Sequence, residues 1–187
     1  MKKTMVRCFA AAWLSVMAWA VPGRAVQVEA RAGYFIPSSR DVRDVYPNGP
    51  AFGADVTVPI AKALYAWGGL DYFQRAGKLT LTAEPTTLRV MPFFAGLKLQ
   101  SAGRSVRPYA SAAVGYFFYR EASVIGTITG SRIGLVVQAG LLLRIKGNVS
   151  IDLHGRYTTC RGKAGGTDPV TTELGGFQGG LGVSVGI

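Results

Sequence analysis

The single histidine of this 187-residue chain, His154, follows Asp152 by two positions and precedes Gly155 and Arg156. On a strand this spacing puts carboxylate and imidazole on one face, where an acid can orient the ring for general-base work. Nucleophilic catalysis would add a serine or cysteine within hydrogen-bond reach, and the sequence places no serine clearly beside the pair. Cys160 would need a basic partner to act as a thiolate, and a buried or inert cysteine is the simpler reading. No Cys/His cluster has the spacing of zinc ligands. The run Gly175-Gly176-Phe177-Gln178-Gly179-Gly180 lacks the pattern of a phosphate-binding loop. No catalytic residue, cofactor or metal site is therefore expected, and the chain is not expected to be an enzyme.

What positions His154 is a strand. Over 177–187, Phe177, Leu181, Val183, Val185 and Ile187 alternate with Gln178, Gly180, Gly182, Ser184 and Gly186. The same period of two runs through 28–34, 52–60, 133–145 and 149–158, and less cleanly through 64–73, a stretch ending at 91–99, and 108–121. Pro92 removes a ladder donor from the middle of its strand, which predicts a bulge there. The links alternate in length. They are long at 37–49, 76–85, 122–130 and 162–172, and short at 61–63, 101–105 and the Lys146-Gly147-Asn148 turn.

Eight strands with short and long links on opposite ends predict an all-β, eight-stranded antiparallel up-and-down barrel that spans a membrane, with both termini on the short-turn side. Hydrocarbon offers backbone groups no partners, so spanning strands must close on themselves. Ten residues tilted by about 40° rise roughly 25 Å, the height of the apolar band. Two aromatic girdles are expected, with Tyr65, Trp67 and Tyr109 near the short turns and Tyr34, Phe52, Tyr72, Phe73 and Tyr116 to Tyr119 near the loops. The competing architecture is an exported soluble barrel, lipocalin-like and binding a small apolar ligand, whose apolar face would point inward. Sparse Lys and Glu with abundant Gly on the polar parity make a poor solvated face.

Charge and export fit the membrane reading. Residues 1–25 read as a signal peptide, with a basic start, an apolar stretch over 8–21 and cleavage after Ala20 or Ala25, leaving the barrel as 26–187. Losing Lys2, Lys3, Arg7 and Arg24 takes the formal charge from +11 to +7. By parity Glu29, Arg31, Asp55, Asp71, Lys98, Arg132, Arg144, Asp152, His154 and Arg156 face the lumen. An eight-stranded lumen is filled by side chains rather than open, and unpaired charge there is costly, so these residues are expected to form a hydrogen-bonded ion network that plugs it. Lys62, Arg104, Arg107 and Lys146 fall at the short turns. Arg75, Lys78, Arg89, Arg161 and Lys163 fall near the outer rim, where they are candidates for pairing with phosphates of lipopolysaccharide or another anionic surface lipid. That distribution points to lipid phosphate and away from nucleic acid.

The motifs Ala32-Gly33-Tyr34-Phe35, Gly96-Leu97-Lys98, Pro108-Tyr109, Gly115-Tyr116 and the terminal Gly180-Leu181-Gly182-Val183-Ser184-Val185-Gly186-Ile187 resemble the small OmpA/OmpX-type outer-membrane barrel domains, including opacity-type surface proteins. The resemblance covers 26–187 and implies an outer-membrane protein with a structural or adhesion-like role, both termini periplasmic, inserted by the outer-membrane assembly machinery. Such barrels usually end on an aromatic residue, and Ile187 departs from this. A barrel hydrolase of the lipid A deacylase type would carry His-x-Ser, whereas His154 is followed by Gly155 and Arg156.

Overall fold

A computed structural model describes residues 26–78, 84–124, 126–164 and 170–187, with backbone alone over 161–172. The expected signal peptide lies outside the described residues. In chain order the elements are β1 (Gln27–Pro37), α1 (Arg40–Val45), β2 (Gly49–Pro59), β3 (Leu64–Lys78), β4 (Pro85–Gln100) and β5 (Val106–Ser123). They continue with β6 (Gly126–Lys146), β7 (Val149–Thr159), β8 (Arg161–Ala164), β9 (Val170–Glu173) and β10 (Gly176–Gly186). Eight of these close into an antiparallel barrel in the order β1-β10-β7-β6-β5-β4-β3-β2. Val26 and Ile187 exchange backbone hydrogen bonds of 3.1 and 2.8 Å at the seam, so no strand edge is left open at that end.

The short links all lie at the end that carries Val26 and Ile187. The tightest places Gly147 at φ +55°, a left-handed conformation that glycine adopts without a Cβ penalty. Pairing between β6 and β7 shifts register beside it, between Arg144 and Lys146. At Pro92 no bulge forms. Leu70↔Phe93 and Phe73↔Val90 keep one register, and only the pairs between them are missing. The proline interrupts the ladder without inserting a residue.

The loop end is more ordered than the spacing of turn residues implied. Residues 122–123 and 126–130 are strand and not loop, because β5 and β6 stay paired as far as Ser123↔Gly126, with β4 alongside β5 to the same height, and β6 extends beyond its last pair with β7, Leu135↔Thr159. The expected loop over 162–172 carries the two-stranded sheet of β8 and β9. Within 37–49, α1 lies over the barrel mouth with Val42 and Tyr46 buried. The Tyr46 hydroxyl donates to Glu121 Oε1 at 2.5 Å and lies 2.9 Å from Thr86 Oγ1.

Outside the barrel the side chains are apolar. Leu135 is 56% exposed, and Ile133, Val137, Leu141, Leu153, Leu181 and Val183 share its face. The alternate positions turn inward, and among them Glu29, Arg31, Asp55, Asp71, Asp152 and Arg156 are all buried. A soluble barrel has the opposite arrangement. Near the loop end Tyr34, Phe52, Phe93, Phe118, Tyr157 and Phe177 form an exposed aromatic belt. Two parts of the expected girdles are corrected. Phe73 and Phe117 are buried in the lumen, and so are Trp67 and Tyr109 at the other end, leaving Tyr65 half-buried. The lumen captures Trp67 and Tyr109 because their polar tips find carboxylates there, as described below.

Burial first, and the bond to Glu121 second, hold the Tyr46 phenol above its ordinary pKa. A raised acid contributes stability that is complete below its unfolded value, about pH 10, and disappears as pH rises through the folded value. Tyr46→Phe removes both contacts and is expected to weaken the cap by about 1–2 kcal/mol. Limited proteolysis within 38–48 should accelerate in the variant at pH 7, and in the parent protein only under strongly alkaline conditions.

Candidate functional site

The lumen divides into two zones along its axis. Toward the loop end it is apolar, filled by Ala51, Phe73, Leu88, Val90, Phe117, Val136 and Cys160 and covered by Val42 and Tyr46. Toward the short-turn end it is ionic. Phe94 and Trp67 lie at the boundary with ring centroids 4.7 Å apart, and the Arg156 guanidinium sits 4.6 Å from the Phe94 ring and 5.3 Å from Trp67. A guanidinium stacks on an aromatic face more readily than an ammonium does because it is planar and weakly hydrated.

The ionic zone is one connected network. Arg31 on β1 donates to Asp55 on β2 and, at 2.9 Å, to Asp71 on β3. Arg156 on β7 donates to the other Asp71 oxygen and lies 3.7 Å from Asp55 Oδ2. Trp67 Nε1 donates to Asp55 Oδ2 at 2.9 Å. From Arg156 the chain of bonds continues through Gln138 Oε1 at 2.7 Å, from Gln138 Nε2 to the Tyr109 hydroxyl, and from Tyr109 to Asp152 Oδ2 at 2.9 Å. His154 Nδ1 meets the same Asp152 oxygen at 2.8 Å. Lys98 completes the set, its ammonium 4.0 Å above the Tyr109 ring. Gly53 is required for this geometry, since a Cβ there would come within 2.1 Å of Asp71 Oδ1.

Eight of the ten residues assigned to the lumen by parity are buried together: Glu29, Arg31, Asp55, Asp71, Lys98, Asp152, His154 and Arg156. The other two are not in the network. Arg132 stands half-buried where β6 has left the wall, donating to the Ser131 carbonyl at 3.0 Å. Arg144 is exposed at the short-turn mouth, beside the register shift. Tyr109, Gln138 and Trp67 are members that charge alone did not mark, although each shares the parity of an ionic neighbour. His154 Nε2 has no hydrogen-bond partner, so no nucleophile is poised on it.

Of the outer-rim cations, Arg75 donates to the Asn48 carbonyl at 2.7 and 3.1 Å. Arg89 donates to Gln74 Oε1 at 3.1 and 3.2 Å and lies over the Tyr72 ring. Lys78 is exposed. Arg161 and Lys163 belong to β8, and their side chains lie outside the described residues. A cation absent from the expected rim set, Arg120, is exposed directly opposite Arg89 across β4 and β5. Both stand on the loop side of the aromatic belt, where Phe93 and Phe118 pack edge to face at 5.7 Å.

Voids are small. One cavity of about 20 Å³ lies in the upper lumen between Phe35, Asp71, Phe73 and Phe117, room for about one water molecule. A second of about 50 Å³ opens at the short-turn mouth beside Gln27, Arg107, Arg144 and Ser184.

A closed eight-stranded wall with an apolar exterior and a filled lumen decides the architecture. The fold is that of a small outer-membrane barrel. Neisserial surface protein A superposes with a TM-score of 0.58 at 19% identity, covering 88% of this chain and 97% of that one. Outer membrane protein OprG from Pseudomonas aeruginosa gives 0.59 at 13% identity, with 86% and 96% covered. The attachment invasion locus protein Ail of Yersinia pestis, solved with the heparin analogue sucrose octasulfate, gives 0.51 at 15% identity over 86% and 96%. No protein-family model and no curated protein matches the sequence.

Arg31→Met would leave Asp55 and Asp71 buried beside a single remaining guanidinium. Removing one partner of a buried pair typically costs about 3–5 kcal/mol. Urea unfolding in lipid vesicles should show that loss, and adding Asp55→Asn to the variant should restore part of it.

Proposed function

We propose that this chain is an integral outer-membrane barrel that presents an interaction surface outside the cell and does not conduct through its lumen. The observation that carries the reading is the inverted barrel: an exposed apolar wall around a lumen closed by paired charge and packed aromatics. In this reading both termini and the short turns lie in the periplasm, and the aromatic belt marks the outer interface, where amphipathic rings settle. The assembly machinery would engage the C-terminal strand β10, which ends on Ile187 in place of an aromatic residue.

Outer-membrane lipid is the partner the wall requires, and lipopolysaccharide phosphate is the partner the rim suits best. Like charges placed directly opposite in a sheet repel, so Arg89 beside Arg120 is a pair that an anion between them would stabilise. Two guanidinium forks at the height of the headgroups match a phosphate by charge-assisted hydrogen bonds. The Ail structure holds a polyanion on the same fold, which makes anion binding on such a barrel a reasonable analogy.

Two measurements test this. Leu153, exposed on β7 midway between its short-turn end and the belt residue Tyr157, should tolerate arginine if the wall faces water. If it faces hydrocarbon, Leu153→Arg is expected to destabilise the barrel in bilayers by about 2–4 kcal/mol, and unchanged stability would overturn the membrane reading. Replacing Arg89 and Arg120 together by glutamine should lower lipopolysaccharide retained on the purified barrel several-fold, and equal retention would refute the rim assignment.

A further inference from the structure

The ionic zone is not balanced. With Arg132 and Arg144 outside it, the buried set holds Glu29, Asp55, Asp71 and Asp152 against Arg31, Lys98 and Arg156. One negative charge is left over when His154 is neutral. Arg31 and Arg156 serve Asp55 and Asp71, so the surplus collects at Glu29 and Asp152.

Those two carboxylates and His154 meet. Each of the three residues offers one ligand atom, and the three atoms all lie within 4.8 Å of one another. All three residues are at least nine-tenths buried. Each also carries a buried polar atom with no hydrogen-bond partner: Glu29 Oε1, Asp152 Oδ1 and His154 Nε2. Leaving such atoms unmet in a dry interior is expensive, and three together call for one shared partner. The backbone makes room for it. Glu29 on β1 and the pair on β7 are separated by β10, which contributes Gly180 and Gly182 between them. A Cβ at Gly180 would stand 3.1 Å from His154 Nε2, and one at Gly182 would stand 2.8 Å from Glu29 Oε1.

We propose that Glu29, Asp152 and His154 form a binding site for one divalent transition-metal ion of the zinc class. One imidazole nitrogen with two carboxylate oxygens is a ligand set such ions accept. Asp152 Oδ2, accepting from His154 Nδ1–H and from Tyr109, fixes the tautomer that leaves Nε2 free to ligate, as outer carboxylates do for metal-bound histidines. Metal–oxygen and metal–nitrogen bonds of about 2.0–2.2 Å bring ligand atoms within about 4 Å of one another, which rotation of the side chains supplies. The bound ion would staple β1 to β7 across the strand that closes the barrel. Arg107 and Arg144 at the short-turn mouth oppose entry of a cation into the finished barrel, so loading belongs to folding. Zinc spacing in the sequence did not disclose the site because its ligands come from opposite ends of the chain.

The test is to refold the protein into detergent micelles with and without zinc, remove unbound metal by gel filtration, and measure zinc per barrel. Wild type is expected to retain about one ion, with the unfolding midpoint raised relative to the metal-free protein. Glu29→Gln and His154→Gln should each lose the ion, while faster migration of the unboiled protein on gels shows that they still fold. Lys98→Met, which removes the competing cation, should bind zinc more tightly than wild type. Cobalt substitution should add visible absorption bands that the Glu29→Gln variant lacks. A folded wild type that retains no stoichiometric zinc, or retention unaffected by both ligand variants, overturns the proposal and leaves the two carboxylates sharing a proton.

Discussion

The contact between Arg156 and Asp71 spans the barrel. In the order β1-β10-β7-β6-β5-β4-β3-β2 their strands, β7 and β3, stand four places apart in a ring of eight, which is a full diameter. Arg31 joins the same two aspartates from β1. A closed sheet fixes its circumference through strand number and stagger, but only contacts across the lumen fix its cross-section. Burying this much charge is not favourable by itself. It is tolerated because each guanidinium satisfies two acceptors at once, and because the lumen of a membrane-embedded wall must be filled by something that does not compete for the lipid face.

The two zones follow from that requirement. The ionic layer occupies the strand length that faces lipid on the other side, and aromatic packing takes over toward the loops. Phe94 and Trp67 serve both layers, with their faces on the guanidiniums and their edges in the apolar pack. Gly53 lets Asp71 lean inward without displacing the strand beside it. The outward parity is plain by comparison: it needs only apolar bulk, and Leu, Val and Ile supply it.

Much of this was legible in the sequence. Alternation over 149–158 and 177–187 assigned both the strands and their faces, and opposing lengths of link assigned the ends. Period-two patterning failed where strands leave the wall. Arg132 has the inward parity and lies opposite the lumen residue Phe117, but at that height β6 has lost its β7 partner and the lumen is apolar, so it stands above the ionic zone. Arg144 lies against a register shift, which ends the correspondence between parity and side. Trp67 and Tyr109 were read by residue type as interface aromatics, while their parity already grouped Trp67 with Asp71. The hairpin of β5 and β6 was missed because Gly126, Thr127 and Gly130 look like loop residues, and their pairing depends on a partner strand rather than on their own preferences. Gathering Glu29 with Asp152 and His154 needed closure of the barrel, a relation that no local pattern carries.

The layered lumen also has an electrical meaning. An ion crossing this barrel would first have to enter the space beneath α1 that Phe73, Phe117 and Val136 keep dry, where shedding its hydration shell has no compensation. It would then meet Arg31, Arg156, Asp55 and Asp71 already committed to one another, and the surplus charge at Glu29 and Asp152 would hold a cation in place more readily than pass it on. Hydrophobic constrictions and charged filters are the two barriers that channels use singly to select and gate. Here they stand in series along the lumen, and the proposed non-conducting role follows from that arrangement.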